Sequence, residues 1–240
     1  MFPYDPELIA AVATGPESIA DVIRILDAIE VTCVDGDGLR WFNWLYLDVT
    51  RAVEARTSSD GFADPTWIAA LDVRFARFYF AAVQSALTGA ATPGCWQALF
   101  DVRNQPRIAR IQFALAGMNA HINHDLALAV VATCQDAGIA PRHGTTQYDD
   151  FTAVNATLDS LIESAKQTLH VRLLGDQLPP ASHLEDTIAA WSMADAREAA
   201  WNNAELLWHL ADAQPLRSSF MDSIDGLTTV AGKVLLVAAP

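Results

Sequence analysis

Between Gly117 and Val130 the chain reads Gly-Met-Asn-Ala-His-Ile-Asn-His-Asp-Leu-Ala-Leu-Ala-Val, a helical apolar run into which Asn119, His121, Asn123 and Asp125 are set. No other stretch limits the fold so tightly. A buried polar group without a partner costs about 1–3 kcal/mol and an isolated charge far more, so these four side chains must satisfy one another or serve a ligand. On a helical wheel of about 100° per residue, Gln112, Asn119 and Asn123 share one line while His121 and Asp125 lie together on the other side. Ile111, Leu115, Met118, Ile122 and Leu126 fill the arc between them. The two polar stripes therefore face different neighbours, or only one of them lines a cavity. His124 falls further round the wheel, which places it in solvent or at a helix contact.

Capping and breaking residues divide the chain into about eight helices. The first runs from Pro16 to about Val31 and is broken by Asp35-Gly-Asp-Gly; the second, Leu39 to about Arg56, is apolar almost all round its first half. Asp64-Pro65 launches a third that Thr88-Gly89 ends, and Thr92-Pro-Gly starts a short one to about Asn104. Pro106 opens the long helix that ends at Gly138, and a sixth spans Tyr148 to Leu174, closed by Gly175. After Pro179-Pro180, Ser182 with Glu185 forms a capping box for a helix that carries Trp191, Trp201 and Trp208 to about Asp212. Pro215 precedes the last. Strand-like alternation of apolar and polar residues is absent, so the expectation is an all-α, single-domain antiparallel bundle with its core over residues 16–212 and a C-terminal amphipathic helix over 216–238.

A content of 52% hydrophobic and 18% charged residues suits a large core, and the net charge of -14 repels phosphate backbones and anionic lipid. No nucleic-acid or membrane partner is expected. Arg103, Arg107 and Arg110 form the one basic cluster and read as a solvated helix face. Cys33, Cys95 and Cys134 are widely spaced within helical patterns and read as small buried hydrophobes of a reducing compartment. With no secretory signal and no convincing membrane span, the expected location is cytoplasmic. Gly-rich phosphate loops, nucleophile elbows, Cys-x-x-Cys pairs and His-Glu-x-x-His are all missing.

His121 and Asp125 stand at the i, i+4 spacing that lets one helix face present two ligands to a metal ion, or lets a carboxylate orient an imidazole for acid/base work. The plainer reading is a core histidine held by its carboxylate. Asp72 shares a face with Ile68, Phe75 and Tyr79, where a carboxylate is out of pattern; it is a third catalytic candidate, or simply a partner for Arg197 or the Tyr46 hydroxyl. Arg197 and Trp201, one turn apart, form a structural stack or an anion clamp. Glu205 and His209 repeat the i, i+4 spacing, with Glu198 and Asn202 on earlier turns. Asp149 and Asp150 are explained by capping of the sixth helix, near Asn155 and Asp159.

Asn119-Ala-His-Ile-Asn-His-Asp-Leu126 resembles the Asn-x-His-Ile-Asn-x-Asp-Leu hallmark of a bacterial family called domain of unknown function 5995. The similarity extends through Phe42-Asn-Trp-Leu-Tyr46, Asp72-Val-Arg-Phe-Ala-Arg-Phe-Tyr-Phe80, Asp150-Phe-Thr-Ala-Val-Asn155 and Arg197-Glu-Ala-Ala-Trp201. The resemblance implies a helical fold and draws attention to Asp72, His121, Asn123, Asp125 and Arg197, with no agreed activity.

The functional expectation is a small-molecule enzyme of biosynthetic type, a lyase, a cyclase or a metal-dependent enzyme. Its catalytic residues would be Asp72, His121 and Asp125, using acid/base chemistry or one divalent metal on His121 and Asp125. Trp41, Phe42, Tyr46, Phe75, Tyr79, Asn119, Asn123, Arg197 and Trp201 would bind an apolar or aromatic substrate. The alternative is a non-catalytic helical binding or scaffold protein in which the same polar network fixes the core. Homodimerisation through Leu227, Val230, Val234, Leu235 and Val237 is compatible with either, and packing of that seam on its own core is the simpler outcome.

Overall fold

The computed structural model describes residues 2–59, 61–172 and 192–238, with backbone only at 159, 160 and 162–172. Among these residues every regular element is a helix. In chain order they are α1 (Asp5–Val12), α2 (Ile19–Thr32), α3 (Gly38–Thr57), α4 (Pro65–Thr88), α5 (Gly94–Phe100), α6 (Arg110–Ala120), a π-helical turn (His121–Asp125), α7 (Leu126–Ala137), α8 (Thr146–Arg172), α9 (Met193–His209) and α10 (Gln214–Leu235). No helix among the described residues is long and apolar enough to cross a membrane.

Short polar side chains start these helices as capping chemistry requires. Ser18, Asp37, Asp64 and Ser192 accept from the backbone N–H of Asp21, Leu39, Trp67 and Asp195. Gly89 and Gly138 close α4 and α7 with φ of +75° and +67°, a left-handed conformation that costs glycine nothing. The expected capping box at Ser182 and Glu185, the Pro179-Pro180 break, Gly175 and Trp191 lie outside the described residues. One helix was not expected. Asp5-Pro6-Glu7 opens α1 with a proline and two acids in its first turn, and Leu8 and Val12 are buried in the core.

The rod formed by α6, the π turn and α7 runs through the middle of the molecule, packed by α3 and α10 along α6 and by α4 and α9 along α7. It begins at Arg110 rather than Pro106, because residues 101–107 form turns around a buried charge centre. Arg103, expected on a solvated face, is instead 4% exposed and paired with Asp37 and with Asp5. Arg110 stacks on Trp41, its guanidinium carbon 4.7 Å from the ring centroid. Asp150 is also not a cap of its own helix: its two oxygens accept from the N–H groups of Ala63 and Asp64 at 2.9 and 2.6 Å, tying α8 to the start of α4.

Contact between α3 and α6 depends on two glycines. A Cβ on Gly38 would come closer than 3.0 Å to the Phe113 ring, and one on Gly117 would do the same to Phe42. Each helix thus gives up a side chain where the other presents a phenyl group. Of the expected C-terminal seam, Leu227, Val230, Val234 and Val237 are exposed and Leu235 packs partly buried against the core, while the buried face of α10 is made by Ile224, Thr228 and Gly232.

Candidate functional site

The π turn changes the phase of the central rod just where its polar residues stand. A π turn takes more residues than an α turn, so it swings the residues that follow back toward the interior. His121 and Asp125, already one turn apart, meet there, and His124, which the wheel leaves in solvent or at a helix contact, is 8% exposed. Asp125 receives three hydrogen bonds. Its Oδ2 accepts from Trp96 Nε1 at 2.9 Å and from His121 Nδ1 at 2.9 Å, and its Oδ1 accepts from His124 Nδ1 at 2.7 Å.

The charge state of this triad follows. Burial would raise the Asp125 carboxyl, but the hydrogen bonds from the two histidines outweigh it and hold the group below the ordinary range, as an anion. At His121 burial prevails over the Asp125 hydrogen bond and depresses the pKa, so its imidazole is neutral. Burial also opposes ionisation of His124, yet Asp125 overcomes it there and the pKa rises. With Nδ1–H committed to Asp125, the neutral His121 has a bare lone pair on Nε2, and that atom is buried without a hydrogen-bond partner.

His121 lies against an aromatic wall. The Phe75 ring is stacked on it at 3.4 Å between centroids with 6° between planes, and Tyr46 meets it edge-on at 4.6 Å. These residues border a cavity of about 90 Å³, room for several waters, between α3, α4, α8, α9 and the π turn. Its lining is mostly aliphatic and aromatic and includes Phe42, Met118 and Leu126. Four polar residues join that lining: Tyr46, Asp72, His121 and Arg197. Asp72 is half-buried, but its Oδ2 is fully enclosed and unpartnered, as is the Tyr46 hydroxyl. Desolvation, assisted by the charge of Glu54, pushes the Asp72 carboxyl up to about 7. Arg197 donates to Asn155 Oδ1 and to the Phe151 carbonyl, both at 2.7 Å, and packs on the Phe151 ring. Burial lowers its pKa to about 10, and no carboxylate pairs with it among the described residues.

The residues expected to bind substrate therefore separate. Phe42, Tyr46, Phe75 and Arg197 line the cavity with Asp72 and His121; Trp41, Tyr79, Asn119, Asn123 and Trp201 do not. Trp41 lies under Arg110, and Tyr79 directs its hydroxyl to Asn43. Asn119 donates to the Thr228 carbonyl and accepts from Asn123, while Gln112 donates to the Leu235 and Val237 carbonyls, so this stripe fastens α10. Trp201 packs on Tyr148 and Phe151 and donates to Glu205 rather than stacking with Arg197. Asp72 hydrogen-bonds neither Arg197 nor Tyr46, so neither partner anticipated for it is used.

His121 and Asp125 are hydrogen-bonded to each other, and the Asp125 oxygens also accept from Trp96 and His124. Glu205 pairs with His143 instead of His209, and Glu198 holds the other nitrogen of that ring. His124, Met118 and Met193 were missed as site residues. The helical wheel leaves His124 between solvent and a helix contact, and Met193 could have been found only by knowing how α9 packs.

In this all-helical fold the central rod carries a carboxylate-oriented imidazole to the edge of a small apolar cavity. The chain belongs to the family described as Family of unknown function (DUF5995), whose model matches residues 19–238, nearly all of it. No curated protein and no solved structure matches it.

Proposed function

We propose that the protein is a small-molecule enzyme that carries out proton transfer, as in a lyase or cyclase, on an apolar or aromatic compound with one anionic group. One observation carries this reading: Asp72 Oδ2, His121 Nε2 and the Tyr46 hydroxyl are each buried without a hydrogen-bond partner, and their residues line one apolar cavity. Asp125 beside them, by contrast, has both oxygens paired. Unpaired groups of three chemical types around a single space are better suited to a ligand, with waters occupying their hydrogen bonds until it arrives.

The roles follow from protonation. Asp72, titrating at about 7, can give or take a proton near neutrality, which is what general acid/base catalysis requires. Neutral His121, oriented through Nδ1 by Asp125, offers Nε2 as a base or hydrogen-bond acceptor. Arg197 lines the cavity with no carboxylate paired to it among the described residues, and its cation suits the anionic end of the ligand. Phe75 and Tyr46 give the apolar part its walls.

The test uses benzoate, phenylacetate and hexanoate as probes, with nitrogen chemical shifts of the histidine side chains and thermal melting as readouts. We expect at least one of these to perturb the His121 resonance, binding to be lost in Arg197→Met, and His121→Ala to keep its fold while changing ligand preference. If none binds and His121→Ala unfolds the protein at ambient temperature, the polar groups are structural and the scaffold reading replaces this one.

A further inference from the structure

On the far side of Asp125 from the cavity, three potential ligands of different chemistry meet. Cys95 Sγ, a ring nitrogen of His124 and a carboxylate oxygen of Asp225 all lie within 4.8 Å of one another. They come from three separate elements, the start of α5, the π turn and the middle of α10. Among the described residues no other group of histidine, cysteine and acidic side chains is arranged this way. We propose that these three residues form a binding site for a single divalent ion of the zinc class.

The donor set selects the ion. A thiolate is a poor ligand for calcium or magnesium, whereas zinc takes sulfur, imidazole and carboxylate together. A thiolate and a carboxylate also cancel the charge of a divalent cation, which a site as enclosed as this one demands: Cys95 is 2% and His124 8% exposed. With zinc bonds of about 2.0–2.3 Å, tetrahedral ligands stand roughly 3.5 Å apart, so the three atoms need to close by about 1 Å on loading.

The surroundings are those of a metal site. His124 donates Nδ1–H to Asp125 at 2.7 Å, the carboxylate–histidine arrangement that fixes a ligating ring and leaves Nε2 for the metal. Asp225 is itself held by the N–H groups of Gly94 and Cys95, at 2.9 and 3.0 Å, and each oxygen has a lone pair to spare. One turn along α10, Thr229 Oγ1 is buried without a partner beside Gly94, where a Cβ would crowd both it and Asp225 Oδ2. Capping of α5 and a hydrogen bond from the Cys95 thiol account for the partners of Asp225, but they explain neither the imidazole brought within reach of both nor the unpaired threonine. Three protein ligands leave a fourth position for water, to which Thr229 can hydrogen-bond.

The site is independent of the reading given for the cavity, although the two share Asp125. Metal-free full-length protein is titrated with zinc, followed by mass-spectrometric metal analysis, and with cobalt(II), followed by visible absorption. One equivalent of zinc is expected, and the cobalt complex should show a thiolate-to-metal charge-transfer band. Cys95→Ser should lose that band and the bound ion, Asp225→Asn should lose the ion, and Asp125→Asn should bind about 10–100-fold more weakly through the loss of ring orientation. His121→Ala, which touches the opposite oxygen of Asp125, should retain one equivalent. Where Cys95→Ser fails to fold by circular dichroism, the band in the wild type and the Asp225→Asn titration decide. Absence of zinc and cobalt uptake by folded wild-type protein overturns the proposal, and so does uptake without a thiolate band.

Discussion

Replacing Asp72 with asparagine should make the protein more stable at pH 8 while disabling it. The carboxyl is raised from 3.8 to about 7 because ionisation would strand a charge in an apolar cavity. A folded pKa above the unfolded one means that the native state binds the proton more tightly. Stability from this group is therefore fully present below about 4, falls as pH rises toward 7, and is level beyond that. At about 1.4 kcal/mol per factor of ten the whole displacement amounts to roughly 4 kcal/mol. Asp72 is half-buried rather than sealed, so water reaches part of it and about 2 kcal/mol is the better expectation. The amide introduced has no ready partner and gives back some of that, leaving Asp72→Asn ahead by about 1–2 kcal/mol at pH 8 and behind or level at pH 5.

Urea unfolding followed by tryptophan fluorescence at half-unit intervals from pH 5 to 8 measures this. The difference between wild type and variant isolates Asp72. His121, with a depressed pKa, has the opposite slope: its contribution is present above the unfolded value of 6.5 and is lost as pH falls, in both proteins alike. Parallel curves across the whole range would refute the argument, because they would mean that Asp72 ionises at an ordinary pH and has no special role in proton transfer.

Other perturbations have equally definite outcomes. Gly117→Ala forces a methyl group into the Phe42 ring and should cost about 1–3 kcal/mol in urea unfolding, with Gly38→Ala against Phe113 behaving alike. Arg103→Met leaves Asp37 buried without its cation and should lose about 3–5 kcal/mol, of which adding Asp37→Asn restores part. His143, held between Glu198 and Glu205, should titrate above 6.5 by proton NMR, and Glu198→Gln should bring it down, since that hydrogen bond is the largest influence on it. Being a raised base, His143 favours the fold at low pH, and its contribution is lost as pH climbs through the raised value.

The helices were legible because their determinants are local. Asp64-Pro65 with Gly89, and Gly138, mark ends by backbone chemistry that needs no knowledge of neighbours. Asp72 stood out for the same reason, as a carboxylate on an apolar helix face. The partners were not legible, because they lie far away in sequence. Arg103 is 66 residues from Asp37, and Asp150 is 86 residues from Asp64, so neither pairing leaves a periodic trace. Trp41 and Tyr79 were correctly placed among buried aromatics but not in the cavity, since hydrophobicity reports burial and says nothing about which space a ring borders. The α-helical wheel was right about Asn119 with Asn123 and about His121 with Asp125, both i, i+4 pairs. For His124 it left two outcomes, solvent or a helix contact, and the second holds: the ring is buried beside Cys95 of α5 and Asp225 of α10.

The π turn also limits how this chain can vary. In effect the π turn is one residue too many for a regular helix, accommodated in the middle of the rod. Deleting a single residue between His121 and Asp125 would let α6 and α7 join as one unbroken α-helix with better backbone geometry, so a local criterion would score the deletion as a repair. It would also turn everything after the cut by about 100°, carrying Leu126 to Ala137 away from α4 and α9. The segment behaves like a vernier: its misfit is the setting that keeps the two halves of the rod aligned with different partners, and insertions or deletions there are far less tolerable than substitutions.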